Sequence, residues 1–145
     1  MNKKRILSLV AATMLSVAVL AGCGSKEEGM KDGKYAVESK ADDKGYVSSL
    51  AIEVKDGKIV SADFDMTNDK GSKKDDEGYN TAYKAKSGID SATAFKTLGE
   101  KLVEKQTADI DAVTGATGTT ETFKKLAAKA IENANAGTTD KTVVE

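Results

Sequence analysis

The chain of 145 residues contains no histidine and only one cysteine. The absence of histidine excludes Ser-His catalysis and histidine ligation of zinc or haem. A single cysteine excludes a disulfide framework and a cysteine metal cluster. Aromatic residues make up only 5% of the chain, so the core must rely on leucine, isoleucine, valine, alanine and methionine. Chemistry that depends on imidazole or on paired thiols is therefore excluded.

The chain also lacks an excess of positive charge. Lysine and arginine number 22 against 23 acidic residues, which gives a formal net charge of −1. Residues 3–5 are all basic and belong to a segment that we expect to be removed, so the remaining chain is more acidic. Nucleic-acid binding favours a basic surface. We therefore expect no nucleic acid among its partners.

The N-terminus has the pattern of an export signal. A basic start at residues 3–5 precedes a largely apolar run over residues 6–18. This run is short for a membrane span, which needs about 20 residues, so a removable targeting segment is favoured. The letters L-A-G-C that end at Cys23 resemble the lipobox of bacterial lipoproteins. The resemblance implies cleavage after residue 22, a diacylglyceryl group on Cys23, and a lipid anchor on the extracytoplasmic face of the cell membrane.

The segment after the signal peptide is short, polar and contains glycine. Residues 1–22 are thus predicted as the signal peptide, and residues 23–31 as the lipidated cysteine and a flexible tether. Lipidation would consume the one thiol of the chain, which also excludes a thiol nucleophile.

Alternating apolar positions predict three β-strands, at residues 34–41, 46–54 and 58–66. Asp56-Gly57 predicts a type I′ hairpin turn between the second and third, because both residue types tolerate positive φ there. The residues of the third strand predicted to face the core are Val60, Ala62, Phe64 and Met66. A two-residue turn would pair Val54 with Ile59, whose side chain lies on the opposite face of the strand from these four. The register stays open, and a β-bulge would resolve the conflict.

Helical spacing of apolar residues predicts two main helices. The first covers residues 91–105, with Asp90 or Ser91 as its N-terminal cap. The second is predicted to begin near residues 118–120, with Thr119 or Thr120 as its cap, and to end near Gly137. Its apolar stripe is Phe123, Leu126, Ala127, Ala130, Ile131 and Ala134.

The remaining segments are predicted to be irregular. Residues 67–78 are predicted as a charged loop. Its oxygen-bearing side chains have a spacing similar to that of EF-hand ligands, but Lys70 stands where an EF-hand needs glycine, which favours a solvated loop without metal. Residues 138–145 are predicted as a polar, frayed tail. Two helices on one face of a small antiparallel β-sheet give an α+β fold, with one domain over residues 32–137.

The segment before the second helix holds a compact motif. It reads D-x-x-T-G-A-T and comprises Asp111, Thr114, Gly115, Ala116 and Thr117. A threonine hydroxyl can accept a phosphoryl group, and a helix N-terminus favours a phosphate through its free amides and dipole. Glycine allows a tight turn, and the aspartate could accept backbone amide hydrogen bonds as in an Asx turn.

This motif resembles the flavinylation motif of FMN-binding domains, found in redox-complex subunits and in small extracytosolic flavoproteins. The resemblance implies FMN held by a phosphoester bond to Thr117, with Asp111, Thr114, Gly115 and Ala116 forming the rest of the cofactor-binding motif. The aspartate would be recognised by a separate FAD:protein FMN transferase. Because the chain lacks histidine and its one cysteine would be lipidated, a covalent flavin must be attached to a hydroxyl.

The resemblance extends beyond the motif to four further stretches. They are D-G-K-Y at residues 32–35, V-K-D-G-K-I at residues 54–59, a tyrosine-bearing loop around Tyr79, and F-K-K-L-A in the final helix. In that loop, Tyr79 and Tyr83 either flank the isoalloxazine ring or make ordinary packing contacts.

The implied function is that of a membrane-anchored extracytosolic electron carrier rather than an enzyme that turns over a substrate. Its electron donor would be a membrane quinone or a dehydrogenase. Three alternatives remain open at this stage: a lipoprotein that binds FMN or another small ligand reversibly, a scaffold without redox activity, and a precursor that releases a pheromone peptide.

Overall fold

The computed structural model describes residues 29–145. The predicted signal peptide, Cys23 and most of the tether lie outside the described residues. Within residues 29–145, no helix combines the length and hydrophobicity needed to cross a membrane.

A five-stranded sheet forms one layer of the domain. Its strands are β1 (Gly33–Ser39), β2 (Val47–Lys55), β3 (Lys58–Asn68), β4 (Gly71–Ser72) and β5 (Thr142–Val144), in the order β4-β3-β2-β1-β5. The three predicted strands β1, β2 and β3 pair antiparallel, as predicted. The short strand β4 also pairs antiparallel, although residues 67–78 were predicted as a loop, and β5 pairs parallel with β1. The sheet is therefore mixed rather than wholly antiparallel.

The strand β5 corrects the prediction that residues 138–145 are frayed. Its side chains are held at several points: Val144 packs against the core, and Thr142 Oγ1 accepts a hydrogen bond of 2.9 Å from Asn133 Nδ2. Lys141 Nζ also lies 2.8 Å from a carboxylate oxygen of Glu38 on β1. These tertiary contacts, which a short polar sequence does not reveal, order the C-terminus.

The hairpin between β2 and β3 has the predicted turn. Asp56 and Gly57 both have positive φ, 52° and 78°, as a type I′ turn requires. Val54 pairs with Ile59 while Glu53 pairs with Ser61, so the strand register shifts by one residue at this point. The predicted β-bulge is confirmed. The prediction that Val60 faces the core was wrong, because its side chain is 48% exposed.

The side chain of Gln106 supports this bulge from the neighbouring helix. Its Oε1 accepts a hydrogen bond from Ile59 N, and its Nε2 donates one to Ile59 O, each at 2.8 Å. Backbone groups that lack a sheet partner must be satisfied elsewhere. An amide side chain with one acceptor and two donor hydrogens satisfies both groups of Ile59.

Three α-helices follow the sheet meander: α1 (Glu77–Ser87), α2 (Ser91–Lys105) and α3 (Thr117–Ala136). The bounds of α2 agree with the prediction, and Asp90 caps it by accepting a 2.8 Å hydrogen bond from Thr93 N. The helix α1 corrects the prediction of a loop around Tyr79. None of its residues is buried, so its sequence has no apolar stripe from which a helix could be recognised.

The core joins β3 to both larger helices through the three phenylalanines of the chain. The ring of Phe64 on β3 packs edge-on against Phe95 of α2 at 4.9 Å and against Phe123 of α3 at 5.2 Å. Gly99 lets α2 approach β3 closely, because a Cβ at that position would lie 2.6 Å from the carbonyl oxygen of Ala62. The result is an α+β domain, as predicted.

Substituting Phe64 by alanine should remove both ring contacts at once. We expect Phe64→Ala to lower the free energy of unfolding by about 3–5 kcal/mol, because the cavity lies between three elements that cannot all close over it. Val60→Ala is the control on the same strand, with an expected loss below about 1 kcal/mol because Val60 is half exposed. Urea denaturation followed by far-UV circular dichroism measures both, and equal losses would contradict this description of the core.

Candidate functional site

The predicted motif forms a tight turn followed directly by α3. Ala116 N donates a 2.8 Å hydrogen bond to Val113 O, which closes a four-residue β-turn. Gly115 occupies its third position with φ of 85°, where a type II turn needs a residue that tolerates positive φ. A Cβ at Gly115 would lie 2.4 Å from Ser87 O, at the end of α1. Glycine is therefore required both by the backbone conformation and by the close approach of α1.

The turn is fixed to α3 by Thr120, which is fully buried. Its Oγ1 accepts a 3.1 Å hydrogen bond from Val113 N and donates one of 2.8 Å to Ala116 O. Sequence reasoning had assigned Thr120 only as a helix cap. The available signal was its position three residues before Phe123, which places a polar side chain on the buried face of the helix.

The helix α3 begins earlier than predicted. It starts at Thr117, with Ala116 as the N-cap residue and no capping hydrogen bond from a side chain. The predicted start near residues 118–120 is one residue too late, and the prediction of Thr119 or Thr120 as the cap was wrong. Because the first turn also contains no acidic residue, its amide groups and positive dipole end are left uncompensated by the chain itself.

Thr117 lies at this uncapped helix end and is exposed. Apart from its chain neighbours and the backbone of its own helix, Gly118 has no heavy atom within 4 Å of the position that a Cβ would take. Neither a capping side chain nor a packed neighbour at Gly118 covers the first turn of α3. Free N–H groups, a favourable dipole and an exposed hydroxyl together fit a phosphate group.

The other motif residues divide into buried and exposed positions. Ala116 is in the core, whereas Asp111 and Thr114 are exposed. Among residues 29–145 the Asp111 carboxylate accepts no hydrogen bond, so the suggested Asx turn is absent. The exposed carboxylate remains accessible to another protein, and its recognition by a transferase stays a prediction.

A tyrosine pair on α1 lies directly against the motif. Tyr83 Oη donates a 2.6 Å hydrogen bond to Gly115 O. The rings of Tyr83 and Tyr79 are stacked, with their centroids 5.5 Å apart and an angle of 13° between their planes. Tyr79 and Tyr83 are both only partly buried. The structure thus brings together the two tyrosines and the glycine of the motif, which are far apart in sequence.

Lys73 extends this cluster to Tyr46. Its Nζ lies 4.4 Å from the ring centroid of Tyr46 and 4.9 Å from that of Tyr79, within the range of cation–π contacts. We call the four residues Tyr46, Lys73, Tyr79 and Tyr83 the aromatic cradle. It contains three of the four tyrosines of the chain. Sequence reasoning missed Lys73 and Tyr46, because only the fold brings the residue before β2 and the segment after β4 together.

The environment of the cradle shifts the pKa of two of its groups. Burial lowers the pKa of Lys73, Asp42 opposes this effect, and Lys44 adds to it. Burial also raises the pKa of Tyr79, helped by Tyr83, Tyr46 and Asp76. The raised pKa keeps Tyr79 uncharged at neutral pH.

The family model for the FMN-binding domain matches residues 45–132 of this chain. The chain belongs to this family. The matched residues include the motif turn, the start of α3 and the whole aromatic cradle. A curated relative, the 15 kDa lipoprotein of Treponema pallidum, is 32% identical over 126 residues, which cover 85% of this chain and 89% of the relative.

Two solved structures are similar to this FMN-binding domain. A crystal structure of a Clostridium perfringens protein has 45% sequence identity and a TM-score of 0.77, and the match covers 79% of this chain and 97% of that one. A solution NMR structure of a Clostridium thermocellum protein has 34% identity and a TM-score of 0.50, covering 72% and 92%. The similarity to the first supports the α+β architecture described above.

Two glycine substitutions in the motif region should differ in their effect on stability. Gly115→Ala places a methyl group against Ser87 O at a positive φ, and we expect a loss of about 1–3 kcal/mol in unfolding free energy. Gly118→Ala introduces a methyl group into open space on the first turn of α3. It should leave stability unchanged or raise it by up to about 1 kcal/mol. Thermal denaturation measures both, and a tolerated Gly115→Ala would refute the close packing of α1 on the turn.

Proposed function

We propose that this FMN-binding domain holds its cofactor covalently, through a phosphoester bond to Thr117 Oγ1, and serves as a membrane-anchored extracytoplasmic electron carrier. The observation that supports the attachment point is the exposed hydroxyl of Thr117 at the uncapped start of α3. The phosphodiester retains one negative charge, which the free amides and dipole of this helix end stabilise.

Attachment requires a separate enzyme of the FAD:protein FMN transferase type. The threonine oxygen forms a bond to the FMN phosphorus of FAD, the bond between the two phosphorus groups breaks, AMP leaves, and the hydroxyl proton passes to solvent. In this step Thr117 is a substrate rather than a catalytic residue. The exposed Asp111 and Thr114 lie on the same accessible segment, which fits recognition of a folded turn by another protein.

The bound FMN would supply the redox chemistry, and the protein would bind and orient it. The stacked Tyr79 and Tyr83 present a partly buried aromatic surface that is hydrogen-bonded to the motif itself. An aromatic ring tethered at Thr117 could pack on this surface by offset stacking. Permanent attachment suits a carrier outside the cytosol, where a dissociated cofactor would diffuse away. Electrons would come from a membrane quinol or a dehydrogenase.

Membrane anchoring is proposed from the lipobox at Cys23 and from the Treponema relative, which is described as a lipoprotein. The cysteine would be acylated on the extracytoplasmic face, with the domain held there by the lipid. Together the anchor and the ester bond would keep both the protein and its cofactor at the cell surface.

Replacing Thr117 by alanine tests the covalent bond. When the domain is coexpressed with a flavin transferase, wild-type protein should run as a flavin-fluorescent band on a denaturing gel, with a mass gain equal to FMN less one water. Thr117→Ala should lose both the fluorescence and the mass gain, because no oxygen remains to accept the phosphoryl group. Thr119→Ala removes another threonine from the first turn of α3, outside the motif, and should keep a covalent flavin.

The free amides of α3 would also bind the phosphate of unattached FMN, so reversible binding is the alternative that the structure supports. A wild-type protein that binds FMN in native form but gives a dark band after denaturation would favour this alternative. Transfer of the mass gain to a peptide without Thr117 would refute the assigned attachment point.

Replacing Cys23 by serine tests the anchor. Cells that express the wild-type chain and are fed radiolabelled palmitate should incorporate label into the protein, and Cys23→Ser should abolish the label because the acyl-accepting sulfur is gone. Thr117→Ala is the matched control and should be labelled normally. Equal labelling of the Cys23 variant and wild type would contradict a lipid on this cysteine.

A further inference from the structure

The cradle contains one lysine, Lys73, whose nearest carboxylate influence comes from Asp42, beyond ion-pair distance. Among residues 29–145, Lys73 forms no ion pair within 4 Å, whereas the adjacent Lys74 pairs with Asp65 at 3.5 Å. The contacts of the Lys73 ammonium are two ring faces and the sulfur of Met66, at 3.9 Å. A half-buried ammonium in such surroundings costs desolvation free energy.

The backbone of Lys73 is fixed in place. It begins the short 3₁₀ turn Lys73–Asp75, whose N-cap residue Ser72 accepts a 3.1 Å hydrogen bond from Lys74 N. Asn80 Nδ2 donates hydrogen bonds of 3.0 Å to both Lys73 O and Lys74 O, and Asn80 Oδ1 accepts a 2.9 Å bond from Ser91 N. The asparagine thus holds the 3₁₀ turn, α1 and the start of α2 together, and this arrangement positions the lysine.

A continuous series of contacts connects Lys73 to the motif. The ammonium lies over the ring of Tyr79, this ring stacks on Tyr83, and Tyr83 Oη donates to Gly115 O, two residues before Thr117. The positive charge is therefore in contact with the tyrosine pair to which the proposed function assigns the flavin.

We propose that Lys73 raises the reduction potential of the bound flavin by stabilising the negative charge of its reduced form. The inference rests on the proposed FMN site but not on the ester bond. Uptake of two electrons and one proton converts the neutral isoalloxazine ring into an anion, and a nearby cation favours this product over the oxidised form. The electrons come from the quinol or dehydrogenase donor, and from dithionite in the experiment. Lys73 is a positioning and tuning residue rather than a redox group.

The charge of Lys73 should give this effect a characteristic pH dependence. The groups that face Lys73 are Asp42 and Lys44 from the turn before β2, Tyr46, and Tyr79 of α1. Burial lowers the pKa of Lys73, with Lys44 acting in the same direction and Asp42 against it. The ammonium is charged below its pKa, so the stabilisation is present below that pKa and is lost as the pH rises through it.

The experiment compares the flavin potential in four proteins: wild type, Lys73→Met, Lys73→Arg and Lys44→Met. Dithionite titration with reference dyes, followed by visible absorption, gives each potential. Lys73→Met should lower it, with a severalfold smaller ratio of reduced to oxidised flavin at a fixed ambient potential. Lys73→Arg keeps the positive charge, so its potential should be close to that of wild type. Lys44→Met removes an exposed neighbouring charge that solvent screens, so its effect should be small.

A pH series distinguishes charge from packing. The difference in potential between wild type and Lys73→Met should narrow as the pH rises through the Lys73 pKa, whereas the difference between Lys73→Arg and Lys73→Met should persist. Equal potentials at neutral pH in wild type and Lys73→Met, both folded by circular dichroism, would overturn the inference. So would a difference that stays constant at all pH values.

The two proposals fail separately. If the mass measurement finds no ester at Thr117, the same titration is run with reversibly bound FMN, and a potential that responds to Lys73 still supports the inference. If the flavin is covalent but wild type and Lys73→Met have the same reduction potential, only the inference about Lys73 is overturned. A native domain that binds no FMN at all overturns both.

Discussion

The buried hydroxyl of Thr120 determines the shape of the candidate site, because it satisfies the backbone on both sides of the motif turn. It accepts from Val113 N and donates to Ala116 O. A buried amide left without a partner would cost about 1–3 kcal/mol. With Thr120 in this position, the turn closes directly against the helix, and α3 begins at Thr117 without a capping hydrogen bond from a side chain. The exposed threonine and the free helix amides both follow from this one side chain.

The same turn also determines where α1 lies. This helix buries none of its own residues, so it has little hydrophobic reason to stay on the domain. It is held instead by polar and close backbone contacts: Tyr83 with Gly115, Asn80 with the 3₁₀ turn and α2, and Ser87 O against Gly115. An element with such shallow packing is expected to open more easily than the core.

The elements that could be predicted from the sequence are those with local signals. The helix α2 has both an apolar stripe and the capping residue Asp90, and the Asp56-Gly57 turn has residues that tolerate its unusual φ. The motif residues were also identified from their order in the sequence. The helix α1 and the strand β5 could not be recognised, because each is held by contacts with distant parts of the chain. The same reason applies to Lys73 and Tyr46, whose relation to the motif exists only after the sheet has formed.

The length of α3 has a consequence for the geometry of the anchored protein. Lys31 N donates a 2.9 Å hydrogen bond to Ala134 O, so the chain enters the domain beside the last turn of this helix. Thr117 is at its opposite end, and 20 helical residues span about 30 Å. Under the proposed anchoring, the lipid and the cofactor would therefore occupy opposite poles of the domain. A soluble electron acceptor could reach the cofactor end of the domain directly. Electron exchange with a donor in the bilayer would require the whole domain to reorient on its tether, so that the cofactor end faces the membrane.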